Sequence, residues 1–375
     1  MPLFLNDEQT MLRETARDFV SENAPIAHLR RLRDTHDGTG FDRGLWRQFA
    51  ELGFTGILIG EESGGLGLGH VEAGVVLEEI GRNLSPSPFL TTAVAAVAAL
   101  EGSLQAERWY PGILVGETVA ALAIDEGAKH RSGVAMRAER AGNGFRLTGA
   151  KQFVTHGHVA DLLIVAARTA GSTEDAEGVT LFVVPADAAG LTATPERLAD
   201  TSIAARLTFE GVELDGDAVL GEVDGGRAPL DRLLRAGRIG ASAELLGVGG
   251  GAMDMTTDYL RQRKQFGVAI GTFQALQHRA AHLYAEMEVA RAAVLKAQQL
   301  LDAGADQADE AVSVAKAMSG LATTLSVQEG VQMHGGIGMT DEYDIGFFMK
   351  RARVLAEMFG DANFHADRLA RGRGY

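Results

Sequence analysis

The chain has 375 residues, 46% hydrophobic and 23% charged with only 8 Pro, a globular profile long enough for two or three subdomains. Its net charge of −15, with no Lys/Arg run set apart from the acids, argues against nucleic acid or an anionic membrane as partner. The absence of cysteine excludes disulfides, thiolate metal sites and cysteine nucleophiles. The first ten residues lack the regions of a signal peptide, and no apolar run is long enough to span a membrane, so a cytoplasmic protein is expected.

A capped helix is expected from Asn6-Asp7, with Leu12, Ala16 and Phe19 on one face. Phe41 to Leu52 reads as a second helix stopped by Gly53. The stretch Phe54 to Leu68 is rich in glycine without GxGxxG or P-loop spacing, and reads as a conformationally demanding loop. Helical periodicity resumes from Val71 to Asn83, breaks at Ser85-Pro86-Ser87-Pro88, and returns from Thr91 to Leu100.

Near Thr118 the pattern changes. Val119 to Ile124 is a buried-strand candidate, and Asn143-Gly144 signals a hairpin between Met136–Ala141 and Phe145–Thr148. Asp161 to Ala167 and Val179 to Val184 are short apolar strands, and Ala205 to Leu214 alternates. The fold class is therefore α+β, mostly α: a helical domain over 1–117, a β-domain over 118–222 and a helical domain over 223–375.

In the last domain Leu246, Gly250, Met253, Thr257 and Leu260 form one narrow seam, and Leu283, Met287, Ala290, Val294, Ala297 and Leu301 another. Such seams suit core packing and helix-to-helix oligomer contacts equally. Gly247, Gly249, Gly250 and Gly251 each weaken a helix by about 1 kcal/mol relative to Ala, which points to a close backbone approach. A final helix from Tyr343 to Phe359 carries Phe348, Ala352, Leu355 and Phe359 on one stripe, and His334 beside two glycines reads either as a structural histidine or as a base.

Between two of these helices lies Arg263-Lys264-Gln265-Phe266-Gly267, continuing through Gly271-Thr272-Phe273-Gln274 to Gln277. Arg263 is a planar fork suited to pyrophosphate or carboxylate. Phe266 and Phe273 offer flat apolar faces, and Gln274 and Gln277 can donate and accept. This is the make-up of a corner that grips a large, flat, anionic cofactor, and equally of an ordinary polar turn.

These pieces, with "LGFTGILIGEESGGLGLG", Lys151-Gln152-Phe153-Val154-Thr155-His156-Gly157 and "QMHGGIG", resemble the acyl-CoA dehydrogenase family of flavoproteins across essentially the whole chain. The resemblance implies FAD, a C-terminal four-helix domain, and assembly with homologous subunits as a dimer of dimers. It implies that Arg263 and Gln274 contact the pyrophosphate and adenosine part of a neighbour's FAD. Phe266 and Phe273 would line that pocket, with Gln277 in the same cofactor-binding set, and the main chain of Gln332, Gly335 and Gly336 would approach the same cofactor. Thr155 matches a threonine near flavin N5, and Phe153 stands where a tryptophan often faces the isoalloxazine. An acyl-CoA thioester would be the substrate and an electron-transfer-flavoprotein-type acceptor the redox partner.

The family's reaction needs a carboxylate to take the acyl α-proton. Where most members carry glutamate this chain has Phe359, and where others carry it the chain has Gly237, so no catalytic residue is assigned. The segment matching the family's Thr-Glu-Pro…Gly-Ser-Asp reads Asp125-Glu126-Gly127-Ala128-Lys129-His130-Arg131, in which only Glu126 remains. Glu244, roughly 10.5 Å along the helix from Gly237, and Asp361 are the candidate substitutes. The leading expectation is a base-lacking subunit that completes a partner's FAD site. The alternatives are a self-sufficient enzyme with altered flavin chemistry, hydroxylase- or desulfinase-like, and a non-enzymatic structural partner.

Overall fold

A computed structural model describes residues 2–130 and 133–375, so Arg131 lies outside the described residues. In chain order the helices are α1 (Asp7–Asn23), α2 (Ile26–Asp34), α3 (Arg43–Glu51), α4 (His70–Arg82), α5 (Val97–Leu100), α6 (Leu104–Leu114), α7 (Arg227–Gln262), α8 (Gln274–Asp302), α9 (Ala308–His334), α10 (Ile345–Glu357) and α11 (Ala362–Gly372). The strands are β1 (Ala120–Ala123), β2 (Arg137–Ala141), β3 (Gly144–Thr155), β4 (Leu162–Arg168), β5 (Val179–Pro185), β6 (Leu191–Arg197), β7 (Ile203–Leu214), β8 (Val219–Leu220), β9 (Lys264–Gln265) and β10 (Val268–Ala269). The order helical, β, helical is the expected one.

Packing divides the chain into two units. One comprises Met1–Arg31, His70–Ser85 and Arg238–Tyr375, and the other Leu32–Gly69 and Pro86–Gly237. The first unit is helical. A capping box at Asn6, closed by Gln9, starts α1 as expected. The glycines of α7 answer the question that its sequence raises. A Cβ on Gly247 would lie 1.9 Å from the Glu78 carbonyl oxygen, and one on Gly81 would lie 2.2 Å from that of Glu244. Helices α4 and α7 therefore touch main chain to main chain, and only glycine permits it. The seam residues Leu246, Leu260, Leu283, Met287, Ala290, Val294 and Ala297 are buried within the chain, which decides for core packing at those positions.

The second unit is built on a sheet of order β6-β7-β3-β2-β4-β5-β8, with β1 parallel to β4. Phe145, Leu147, Leu163, Val165, Phe182, Leu207 and Phe209 form its core. The Asn143-Gly144 hairpin joins β2 to β3 as expected, but β3 runs on to Thr155, well beyond the expected arm. Strand β6 carries no sequence signal. It is an exposed edge with Pro195 inside it, so no alternation marks it and proline's missing N–H costs nothing there. The expected helix at Thr91 to Leu100 is a buried π-helical segment, Leu90–Ala96, leading into α5. The loop from Phe54 to Leu68 folds on itself, with Leu66 N donating to Gly56 O and Gly67 N to Ile59 O. Phe359 is buried but lies off the end of α10 rather than on its stripe.

The glycines give a paired stability test. Gly247→Ala forces α4 and α7 apart and lowers unfolding free energy by about 2 kcal/mol or more. In α9, a Cβ on Gly320 would meet nothing within 4 Å, so Gly320→Ala raises it by roughly 0.5–1 kcal/mol. Denaturant midpoints of the two variants check both signs.

Candidate functional site

The helical unit carries the expected corner, in a local form that its sequence does not announce. Lys264–Gln265 and Val268–Ala269 pair as a two-residue hairpin whose central residues, Phe266 and Gly267, have φ of 53° and 85°. Positive φ at both positions is what a type I′ turn requires. Glycine takes it freely, whereas Phe266 does so under strain and with 92% of its surface exposed. Its ring meets Phe273 edge-on, with centroids 6.3 Å apart. Ile270 N donates to Arg263 O and Gln277 Nε2 donates to Gly271 O, so Gln277 locks the turn that leads into α8. The Arg263 side chain is exposed and has no carboxylate partner among the described residues. Gln274 is exposed as the first residue of α8.

The end of α9 belongs to the same neighbourhood. Met333 packs in one cluster with Leu260 and Leu283, against which Ile270 and Leu276 of the corner rest. Gln332, Gly335 and Gly336 are exposed, and a Cβ on either glycine would meet nothing within 4 Å. His334 is buried. Its Nδ1 donates to Gly330 O at 2.7 Å, and its ring lies between Tyr259 and Tyr343 with centroids 4.5 and 4.8 Å away. Burial lowers its pKa against the opposing effect of the Gly330 bond. A buried, neutral ring of this kind fits the structural reading of His334.

The sheet unit carries Phe153 and Thr155 at the end of β3. Pairing with β7 shifts between Lys151 and Val154, so β3 holds one extra residue there. Phe153 sits in that bulge with φ of 55° and is 46% exposed. Thr155 is half-buried, and its hydroxyl makes no hydrogen bond among the described residues. Glu126 accepts from Lys151 Nζ at 2.6 Å and from the main-chain N–H groups of Ala135 and Met136, so it clamps the start of the segment that leads into β2. Burial lowers the Lys151 pKa, with Glu126 opposing.

At the two places where a base is expected, none stands. Gly237 has no side chain, and Phe359 is buried at φ 58° before Gly360 at φ 106°. Both candidate substitutes are occupied. The Glu244 carboxylate accepts from Arg351 Nε at 3.0 Å and from a second guanidinium nitrogen at 2.5 Å. Asp361 caps α11, accepting from Phe364 N at 2.8 Å. Two buried groups at the corner between α10 and α11, where Phe359 stands, have no signal in the sequence. Lys316 Nζ donates to Ala356 O and Gly360 O, both at 3.0 Å, and burial pulls its pKa down to about 7. His365 is pulled down to about 3 by burial and then by the charges of Arg238, Lys316 and Arg368.

The donors suit an anionic dinucleotide with a flat ring system. Arg263 is an unneutralised fork beside exposed aromatic faces, and two glycines leave open main-chain approach. No cluster of metal-ligating side chains occurs among the described residues. Comparison with known proteins identifies the family. Family models for the acyl-CoA dehydrogenase N-terminal, middle and C-terminal domains match residues 6–117, 124–212 and 224–373. The chain is 31% identical over 358 residues to acyl-CoA dehydrogenase FadE12 of Mycobacterium tuberculosis, covering 93% of this chain and 91% of that one. The solved Tcur3481-Tcur3483 steroid ACAD is similar at 32% identity and a TM-score of 0.88, covering 98% of this chain and 99% of that one. The ChsE4-ChsE5 complex from Mycobacterium tuberculosis is similar at 26% identity and a TM-score of 0.88, covering 100% of this chain and 99% of that one.

The buried histidine sets a pH dependence. With a folded pKa of about 3 against an ordinary value of 6.5, His365 leaves stability intact above pH 6.5. As pH falls from there toward 3, the unfolded chain takes up a proton that the folded one refuses, and stability is lost, by about 3 kcal/mol at roughly pH 4. Unfolding free energies measured from neutral pH down to about pH 4 show this slope, and His365→Leu flattens it.

Proposed function

Because the chain belongs to the acyl-CoA dehydrogenase family and is thereby an FAD-dependent oxidoreductase, we propose that it acts as a base-lacking subunit completing a partner's flavin site. The observation that carries this reading is the contrast between its two halves of the chemistry. Arg263, Gln274 and the main chain at Gly335 and Gly336 are exposed and uncommitted, whereas Phe359 and Gly237 offer no carboxylate and Glu244 and Asp361 are held by other partners.

In this reading the domains run 1–117, 118–222 and 223–375. Arg263 neutralises pyrophosphate charge, Gln274 and Gln277 order the nucleotide end, and Phe266 and Phe273 cover an apolar face. The open main chain at Gln332, Gly335 and Gly336 approaches the same group. Phe153 and Thr155 serve a ring system and a hydrogen-bond acceptor at the end of β3. When bound there, FAD would supply the acceptor for hydride from the acyl β-carbon. The α-proton goes to a carboxylate supplied by a homologous chain, since a dry site needs that base within reach of the α-carbon. The pairing of two related chains, as the ChsE4-ChsE5 complex is named, is the assembly this requires. An acyl-CoA thioester is the substrate, an electron-transfer-flavoprotein-type protein the acceptor, and the cytoplasm the compartment. No helix among the described residues is long and apolar enough to cross a membrane.

Co-expression with a homologue carrying glutamate in place of Phe359 tests the reading. Acyl-CoA oxidation is expected from the pair and not from this chain alone, and normal oxidation by this chain alone overturns it. In the assembled pair, Arg263→Ala loses a charge-assisted contact worth about 1.5–3 kcal/mol, so FAD binds roughly 10- to 100-fold more weakly. Flavin absorbance per complex after gel filtration reads that loss.

A further inference from the structure

The end of β3 holds a brace that the roles above do not use. Thr155 lies between two non-glycine residues in left-handed backbone, Phe153 at φ 55° and His156 at φ 62°. It is the last residue paired with β7, through Ala204, before His156 N turns to Ile203 O. A backbone so disposed persists only where its surroundings hold it.

The hold comes from the His156 ring. It is buried, stands edge-on to Phe41 with centroids 5.4 Å apart, and its Nδ1 lies 3.3 Å from Thr91 Oγ1. The Thr91 hydroxyl donates to Pro88 O at 3.2 Å, which assigns the histidine bond: Nδ1–H donates and the Thr91 oxygen accepts. Thr91 belongs to the buried π-helical segment Leu90–Ala96, and its neighbour Thr92 fastens that segment to β1 by accepting from Ala120 N at 2.9 Å. The widened turn thus presents one threonine to the end of β3 and the next to β1. Such turns often occur at functional sites.

We infer that His156 is a positioning residue, which through Thr91 and Phe41 fixes the turn that sets Thr155 and Phe153 for their ligand. The inference rests on the placement of Thr155 and Phe153 at the flavin. A merely structural histidine would alter melting temperature and leave the Thr155 side chain where it is.

Methyl NMR of threonine-labelled full-length chain separates these cases. Thr91→Val, which removes the acceptor at constant shape, is expected to shift and broaden the Thr155 methyl resonance, while Thr91→Ser leaves it in place. His156→Asn, which tolerates the left-handed backbone but lacks the ring, is expected to act as Thr91→Val does. An unmoved Thr155 resonance in either of those two variants overturns the inference. FAD added to the wild-type chain and to its assembled pair tests the reading beneath it. A Thr155 resonance that responds to FAD, with about tenfold weaker FAD binding in Thr91→Val, supports both. A resonance that moves in the brace variants but ignores FAD removes the flavin placement and limits the brace to fixing Thr155.

Discussion

Two buried cations hold the corner between α10 and α11, on which Phe359 stands. Lys316 donates to the carbonyls of Ala356 and Gly360, and Arg238 Nε donates to that of Phe359 at 3.3 Å. Taking an ammonium and a guanidinium out of water costs several kcal/mol each, and main-chain carbonyls return only part of it. Burial accordingly drives Lys316 toward its neutral form, and the adjoining His365 stays neutral down to low pH. The corner is thus fixed by donors that reach main chain. Those bonds reach the main chain of residues 356–360 and do not involve the side chain at residue 359, which is itself buried.

That independence separates scaffold from chemistry. The left-handed Phe359 and Gly360 deliver Asp361 to the start of α11, where its carboxylate caps Phe364 N. A Cβ on Gly360 would lie 2.3 Å from the Phe364 ring, so the connection between α10 and α11 needs this glycine on packing grounds alone. The other buried charges are committed in the same way. Arg168 directs its guanidinium to the carbonyls of Val134, Ala170, Thr173, Asp175 and Glu177, and Lys151 directs its ammonium to Glu126. Against this background the uncommitted Arg263 stands out, because exposed charge is what an anionic ligand can use.

The sequence is informative where period and spacing are set by local rules. Long helices, the Asn143-Gly144 hairpin and the glycine contacts of α7 follow from propensity, turn chemistry and the cost of glycine in a helix. The candidate residues at 263–277 are suggested by their chemistry and those at 332–336 only by the family resemblance, and the structure packs those two stretches side by side through Tyr259, His334 and the Met333 cluster. Three features are hidden for physical reasons. The β-hairpin at Lys264–Ala269 has a phenylalanine where a residue tolerant of positive φ is the usual signal. The π-helical turn differs from an α-helix only in its hydrogen bonding, which apolar periodicity does not report. Lys316 finds its carbonyls 40 and 44 residues away, and His365 takes its shift first from burial and then from charges of which Arg238 and Lys316 lie on α7 and α9, so little of either appears as a pattern in its own helix.

The corner at Phe359 therefore says nothing by itself about catalysis. A corner needed for packing would persist whether or not a carboxylate stood on it. The weight falls instead on groups for which packing has no use. Phe266 is strained and almost wholly exposed, Arg263 lacks a counter-charge among the described residues, and the glycines at 335 and 336 adjoin open space. Exposed strain lowers stability slightly and is removable by a single substitution, so a chain that needed only to fold would gain by losing it. The joint presence of these groups on one end of the helical unit is the feature on which the proposed ligand-binding role rests.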